Sequence, residues 1–231
     1  MDDYGDLRGR ITQDDQYPFA GGGNANIYRG KFTRPDGRKI RVAIKMIRMS
    51  DDASIHQEAL LKSLDREVQI WRRLRHKNIL PFIGVCNDLA PLPVLVSPLC
   101  KFGHVGKYIN GHPEANRSEL ILGIASGLEF LHNNGVVHGD LKVQNVLVNK
   151  HGVPRICDFG ISKIVNLRGF TISNVGTAPY MAPELLFVVD GLGTSSQESS
   201  FPSTTTSSDV YSFALLVLEV RSLPVHAILC S

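Results

Sequence analysis

The 231-residue sequence predicts an α+β chain with two unlike lobes, a small antiparallel β lobe carrying one helix and then a larger, mainly helical lobe. Three observations predict it. Alternating apolar and polar residues with turn punctuation fill residues 17–48. A stretch of helical periodicity follows at about 54–75, and from residue 116 onward helical patterns prevail, broken by one hairpin signal. A hydrophobic content of 43% supports a core, and 20% charged residues are too few for a disordered polyelectrolyte.

The first sixteen residues are polar and open Met-Asp-Asp-Tyr-Gly-Asp, so 1–16 is expected to be a tail and not a signal peptide. Ala20-Gly21-Gly22-Gly23 reads as a flexible loop, Asn26–Phe32 as a strand, and Pro35-Asp36-Gly37 as a turn. In Lys39–Met46 the residues Ile40, Val42, Ile44 and Met46 share one face, and Arg41, Ala43 and Lys45 the other. Leu61, Leu64, Val68 and Trp71 recur at helical spacing within a helix expected over Ser54–Arg75. Short apolar runs at Ile79–Val85 and Val94–Ser97 follow. A second amphipathic helix starts at Asn116, carries Leu120, Ile121, Ile124, Leu128 and Leu131, and is closed by Gly135, which accepts the left-handed conformation past a helix end. Val146–Val148 and Arg155–Cys157 flank Asn149–Gly152 as a hairpin. The Ser/Thr/Gly-rich segment Asp190–Ser208 reads as a mobile insertion, and Asp209–Arg221 is apolar enough to be a buried helix.

Lys plus Arg number 25 against 22 for Asp plus Glu. A net charge of +3 gives no electrostatic case for nucleic-acid binding. Cys86, Cys100, Cys157 and Cys230 form no C-x-x-C pair or zinc-type cluster, which suits buried thiols in a reducing, cytoplasmic compartment. The most apolar stretch, Phe213–Leu218, is far shorter than the ~20 residues that span a bilayer.

Chemistry enters at Val42-Ala43-Ile44-Lys45, where alternation puts a small side chain and a cation on one strand face, as a flat purine and its phosphates require. Alone, that tetrapeptide is usually a solubilising edge lysine. It is followed, in order, by Glu67, by His138-Gly139-Asp140-Leu141-Lys142-Val143-Gln144-Asn145 and by Asp158-Phe159-Gly160. Gly176-Thr177 through Met181-Ala182-Pro183-Glu184 and Ser208-Asp209-Val210-Tyr211-Ser212-Phe213 extend the series. As a set these motifs resemble the eukaryotic protein kinase catalytic domain from about Tyr17 to Val220, and within it the tyrosine-kinase-like group of Ser/Thr kinases.

The resemblance implies a two-lobed kinase fold, with a small lobe over about 17–97, a hinge at 98–100, a large lobe over 101–221 and a tail at 222–231 outside the family pattern. It implies ATP and Mg2+ as cofactors and a protein Ser/Thr hydroxyl as acceptor. Lys45 would hold the α- and β-phosphates, kept in place by Glu67; Asp158 and Asn145 would ligate magnesium. Asp140 would take the proton of the acceptor hydroxyl, and Lys142 would neutralise the γ-phosphate. The Asp-Leu-Lys-x-x-Asn order favours Ser/Thr over Tyr acceptors. Adenine would lie between the lobes against Ala43, with Ser97 as gatekeeper and Pro98–Cys100 offering backbone groups; Ala20, Gly22 and Ile27 would line the phosphate loop. His138, Phe159 and Trp71 are expected in the core.

Three departures stand against the pattern. Two glycine-loop positions are Ala20 and Ala25, with only Gly22 kept. The arginine that usually precedes the catalytic aspartate is Gly139, so the segment bearing Ser162, Thr171, Ser173 and Thr177 should not use the phosphate-clasping switch. The chain also stops about ten residues after the Asp209 helix, so the large lobe is expected to lack its last helices and to leave Glu184 buried without its arginine. A catalytically weak or inactive kinase-like nucleotide- or partner-binding module, a pseudokinase or a fragment, is the alternative reading.

Overall fold

The computed structural model describes residues 5–22, 25–48, 57–159, 177–186 and 204–223. The chain divides into two units: residues up to His76 with Leu80–Lys101, and Lys77–Ile79 with the residues from Phe102 onward. The expected hinge at 98–100 thus belongs to the first unit.

The first unit is a six-stranded sheet and one helix. Its strands are β1 (Ile11–Gln13), β2 (Ala20–Gly22), β3 (Ala25–Thr33), β4 (Lys39–Ile47), β5 (Gly84–Cys86) and β6 (Val94–Pro98). They run β1-β3-β4-β6-β5, all neighbours antiparallel, with β2 also on β3. Helix α1 spans Gln57–Arg73. The alternation read in β4 has its physical basis here: Val42 and Ile44 join Leu7, Phe32, Ile83, Cys86, Val94 and Val96 in the core, with Ile40 and Met46 packed against it. On α1, Leu64, Val68 and Trp71 are buried, whereas Leu61 is exposed. The start of the expected helix at Ser54 lies outside the described residues.

Two expectations fail in this unit. Residues 5–16 are no free tail: Leu7 is fully buried, worth roughly 1.5–3 kcal/mol of transfer free energy, and β1 pairs with β3. Ala20–Gly22 is a paired strand instead of a loop, because the main chain there finds a ladder on β3. Gly23 lies outside the described residues.

The second unit contains α2 (Val105–Gly111), α3 (Arg117–Asn133), a hairpin of β7 (Val146–Val148) and β8 (Pro154–Ile156), α4 (Pro183–Leu186) and α5 (Thr206–Ser222). Asn116 caps α3, its side chain accepting from Glu119 N–H, and Gly135 follows the helix end at φ +70°. Leu120, Ile124, Leu128 and Leu131 are buried on α3. Two glycines bring that helix close to its neighbours. A Cβ on Gly127 would stand 2.8 Å from the Asn78 carbonyl oxygen, and one on Gly123 would stand 2.8 Å from Pro154 Cγ. α2 was not read from the sequence; it is only seven residues long and carries little periodicity.

Helix α5 starts in a reciprocal capping box, with Thr205 Oγ1 accepting from Ser208 N–H and Ser208 Oγ accepting from Thr205 N–H. At its other end, the Arg117 guanidinium donates to the carbonyls of Val220 (3.1 Å), Arg221 (2.7 Å) and Leu223 (2.8 Å). The expectation of a buried helix is corrected: Leu216 and Val220 are buried, but Val210 and Leu218 are 55% and 63% exposed. Ser208, expected within a mobile insertion, is a buried capping residue; residues 190–203 lie outside the described residues, as do 224–231. Among the described residues no helix is long and apolar enough to cross a membrane.

Candidate active site

In the first unit, β4 carries Lys45 opposite Ile27 of β3 and Leu95 of β6, and burial leaves it 8% exposed. Its Nζ lies 3.9 Å from Oε1 of Glu67, itself 6% exposed. Opposite charges this close offset part of each other's cost of burial. The rotation of α1 that brings Glu67 inward is fixed one turn later, where Trp71 Nε1–H donates to the Leu80 carbonyl at 2.6 Å and its ring meets Phe82 at 5.1 Å. Ala43, two residues before Lys45 and so on the same face, is paired with Ser97; Val42 is paired with Pro98. Leu99 N–H donates to the Arg41 carbonyl at 3.2 Å, and Cys100 is buried.

The β2–β3 hairpin pairs Ala20 with Ile27, Gly21 with Asn26 and Gly22 with Ala25. Ala25 is buried, so its methyl group is packed into the strand. A Cβ on Gly21 would meet nothing closer than 3.5 Å, so this ladder admits side chains as small as alanine.

In the second unit, a dense polar cluster surrounds Asp140. Its Oδ2 accepts from Lys142 Nζ at 2.6 Å, and its Oδ1 accepts from Thr177 N–H at 2.9 Å and Thr177 Oγ1–H at 3.0 Å. Lys142 Nζ also donates to Thr177 Oγ1 at 2.6 Å. Asn145 Nδ2–H donates to the Asp140 carbonyl at 2.7 Å and to Oδ2 at 3.2 Å. A single 3₁₀ turn over Val143–Asn145 turns Asn145 back toward Asp140.

Two buried residues hold this loop. His138 is fully buried; its Nε2 lies 3.0 Å from the Cys157 carbonyl, and its Nδ1 accepts from Asp140 N–H at 3.2 Å. A carbonyl only accepts and an N–H only donates, so the ring is the neutral Nε2–H tautomer. Burial holds its pKa below the ordinary histidine value, outweighing the opposing pull of the Asp209 charge. Asp209, in the first turn of α5, is 1% exposed and accepts from His138 N–H (2.7 Å), Gly139 N–H (2.8 Å) and His132 Nε2–H (2.9 Å). In the sequence alone Asp209 has no assigned role; its signal there is an acidic residue opening an otherwise apolar helix. Gly139 sits at φ +78°, a backbone conformation that an arginine side chain would strain.

Asp158 follows Cys157, whose N–H donates to the Asn145 carbonyl at 2.9 Å, and it adopts φ +59°, a left-handed conformation that aspartate tolerates better than most residues. Phe159 is buried. The group that the motifs imply is a hard divalent cation, and the donors suit it: one carboxylate and one amide carbonyl, with the Asn145 nitrogen already turned toward Asp140. Among the described residues no three His, Cys, Asp or Glu side chains cluster as a metal cage, so phosphate oxygens or water would have to complete the shell. Beside Asp140, a shallow hollow is lined by Gly139, Leu141, Thr177, Tyr180, Met181 and Leu185. Glu184 is exposed, so the expected orphaned buried carboxylate does not arise. Ser162, Thr171 and Ser173 lie outside the described residues.

The family model described as Protein kinase domain matches residues 21–226. The chain is 30% identical over 209 residues to the serine/threonine/tyrosine-protein kinase HT1 of Arabidopsis thaliana, covering 88% of this chain and 49% of that protein. It is 29% identical over 169 residues to the serine/threonine-protein kinase STY17 of the same plant, covering 71% and 28%. To the mitogen-activated protein kinase kinase kinase zak-1 of Caenorhabditis elegans it is 28% identical over 211 residues, covering 85% and 25%. The chain therefore spans between a quarter and a half of the length of these curated relatives.

Proposed function

Since the chain belongs to the protein kinase domain family, with Ser/Thr kinases of tyrosine-kinase-like type among its relatives, we propose that it transfers the γ-phosphoryl group of ATP to a Ser or Thr hydroxyl of a protein in a signalling pathway. The observation that carries this reading is the Asp140 cluster. A carboxylate held by Lys142, Thr177 and Asn145 is a base of fixed direction. Asp140 accepts the hydroxyl proton as the oxygen attacks the γ-phosphorus and the bond to ADP breaks. Lys142, 2.6 Å from that carboxylate, offsets charge on the transferring group. Lys45, oriented by Glu67, binds the α- and β-phosphates; Ala43 and the Ser97–Cys100 segment take the adenine; Ala20, Gly22 and Ile27 cover the phosphates. Asp158 and Asn145 would hold magnesium, which supplies electrostatic neutralisation of the phosphates when bound. An intracellular setting agrees with ATP as donor and with the buried thiols of Cys86, Cys100 and Cys157.

A second reading, a nucleotide- or partner-binding module without turnover, is favoured by one observation: both Asp140 oxygens are already engaged by Lys142 and Thr177. Incorporation of labelled phosphate from ATP and magnesium separates the two. Wild type should label itself or a generic Ser/Thr substrate, and Asp140→Asn should lose at least about a hundredfold of that rate. Equal labelling in both removes the catalytic claim, and an ATP-induced thermal shift without labelling selects the second reading.

A further inference from the structure

We propose that residues Gly5–Gln13 form a separable strap, an extended segment seated in cis on both edges of the first unit's sheet, and that its seat is a strand-binding groove which this segment keeps filled. Its main chain bonds at two places. Leu7 N–H donates to the Val85 carbonyl at 2.7 Å and Val85 N–H donates to the Gly5 carbonyl at 2.9 Å, a parallel bridge on the outer side of β5. Farther along, β1 pairs with β3 in the register Ile11 to Phe32 and Gln13 to Gly30. β5 and β3 would otherwise end the sheet on those sides with unpaired main-chain groups, the kind of edge that recruits another strand. Between the two contacts, Gly9 N–H donates to Asp88 Oδ2 at 2.8 Å, and Asp88 Oδ1 accepts from the Cys86 thiol at 2.8 Å.

The underlying strands are shaped to receive it. A Cβ on Gly84 would stand 2.5 Å from the Gly5 carbonyl oxygen and 2.9 Å from Leu7 Cγ, so the three atoms nearest to it all belong to the strap. On β3, a Cβ on Gly30 would meet Ile44 Cδ1 of β4, a side-chain end, and would stand 2.5 Å from the main-chain Thr12 carbonyl oxygen of the strap. Leu7 fills the space between, fully buried in the sheet core. The match to the kinase family begins at residue 21, so two glycines within the matched region are fitted to a segment that precedes it. The first residue of the strap also borders α1: a Cβ on Gly5 would come 4.0 Å from an Arg72 guanidinium nitrogen, on the helix that carries Glu67. Strap seating and α1 position are thereby neighbours.

Hydrogen–deuterium exchange on the full chain tests this without nucleotide, and so without reference to catalysis. In Gly84→Ala, the new methyl group and the Gly5 carbonyl cannot occupy the same space, and the strap must lift. Amide protection at Leu7 and Val85 should fall about tenfold or more, while Val42 and Ile44 in β4 change less than about twofold. Leu7→Asp, which puts a carboxylate in the core seat and leaves Gly84 intact, should give the same local pattern. Unchanged protection at Leu7 and Val85 in Gly84→Ala overturns the proposal. So does equal loss throughout β3 and β4, or failure of both variants to fold, because then the segment is no separable strap.

Discussion

Replacing Asp209 by Asn tests whether one buried carboxylate on α5 holds the loop that carries Asp140. The side chain is 1% exposed and receives three donors on two oxygens: His138 N–H and His132 Nε2–H on Oδ2, and Gly139 N–H on Oδ1. Asparagine has one acceptor oxygen. Its best rotamer keeps the carbonyl toward His138 and His132 and turns the NH2 group against Gly139 N–H, so one donor is orphaned and two bonds lose their charge assistance. With an orphaned donor at about 1–3 kcal/mol, the expected loss is about 2–3 kcal/mol. Asp209→Ala orphans all three donors and should lose about 4 kcal/mol or more. His132→Ala removes a single donor and leaves both main-chain bonds intact, so about 1 kcal/mol or less should follow. Urea unfolding read as a shift in midpoint at constant slope measures all three. If Asp209→Asn lies within about 0.5 kcal/mol of wild type, the carboxylate is not what holds the loop.

Three further outcomes follow from the second unit. Gly127→Ala should destabilise by about 1–3 kcal/mol, because its Cβ meets the Asn78 carbonyl at 2.8 Å and Ile156 Cδ1 at 3.1 Å; Gly111→Ala, with nothing within 4 Å at the end of α2, should be neutral or stabilise by up to about 1 kcal/mol, and thermal melts compare them. Arg117→Ala should cost about 1–2 kcal/mol in the same melts, since three carbonyls at the end of α5 lose a charged donor, and Arg117→Lys should recover only part because an ammonium lacks the planar fork. Folding stability should fall as pH drops below about 6.5: burial lowers the pKa of His138 and of His104, so the unfolded chain takes up the proton first. That contribution is fully present above the unfolded-chain value and is lost on acidification with a slope of up to about 1.4 kcal/mol per pH unit per histidine; unfolding curves from pH 7.5 to 5 should be flatter in His138→Gln, and an unchanged slope would exclude His138 as the source.

Local chemistry was legible along the chain wherever its cause lies within a few residues. The period-two alternation of Lys39–Met46 became β4, the Asn116 cap and the Leu120–Leu131 stripe became α3, and the Asn149–Gly152 turn became the β7–β8 hairpin. The family motifs mark Lys45, Glu67, Asp140, Lys142 and Asn145 in the linear order. Their distances, 3.9 Å for the first pair and 2.6 Å between Asp140 and Lys142, belong to the folded chain.

What the linear order could not reveal depends on partners far apart in it. Leu7 stands alone among charged and glycine residues, so residues 5–16 read as a tail; its burial comes from β5, and Gly9 bonds Asp88 across 79 positions. Asp209 looked like a helix-opening acid, and its role rests on His138 and Gly139, 71 and 70 residues earlier. The apolar content of α5 suggested burial all round, yet Val210 and Leu218 face outward, because apolar composition sets a tendency while exposure is set by what packs alongside. Propensity and capping act through bonds between near neighbours and are written in the amino-acid order. Strand partners, buried hydrogen-bond networks and close glycine contacts arise only when distant segments meet.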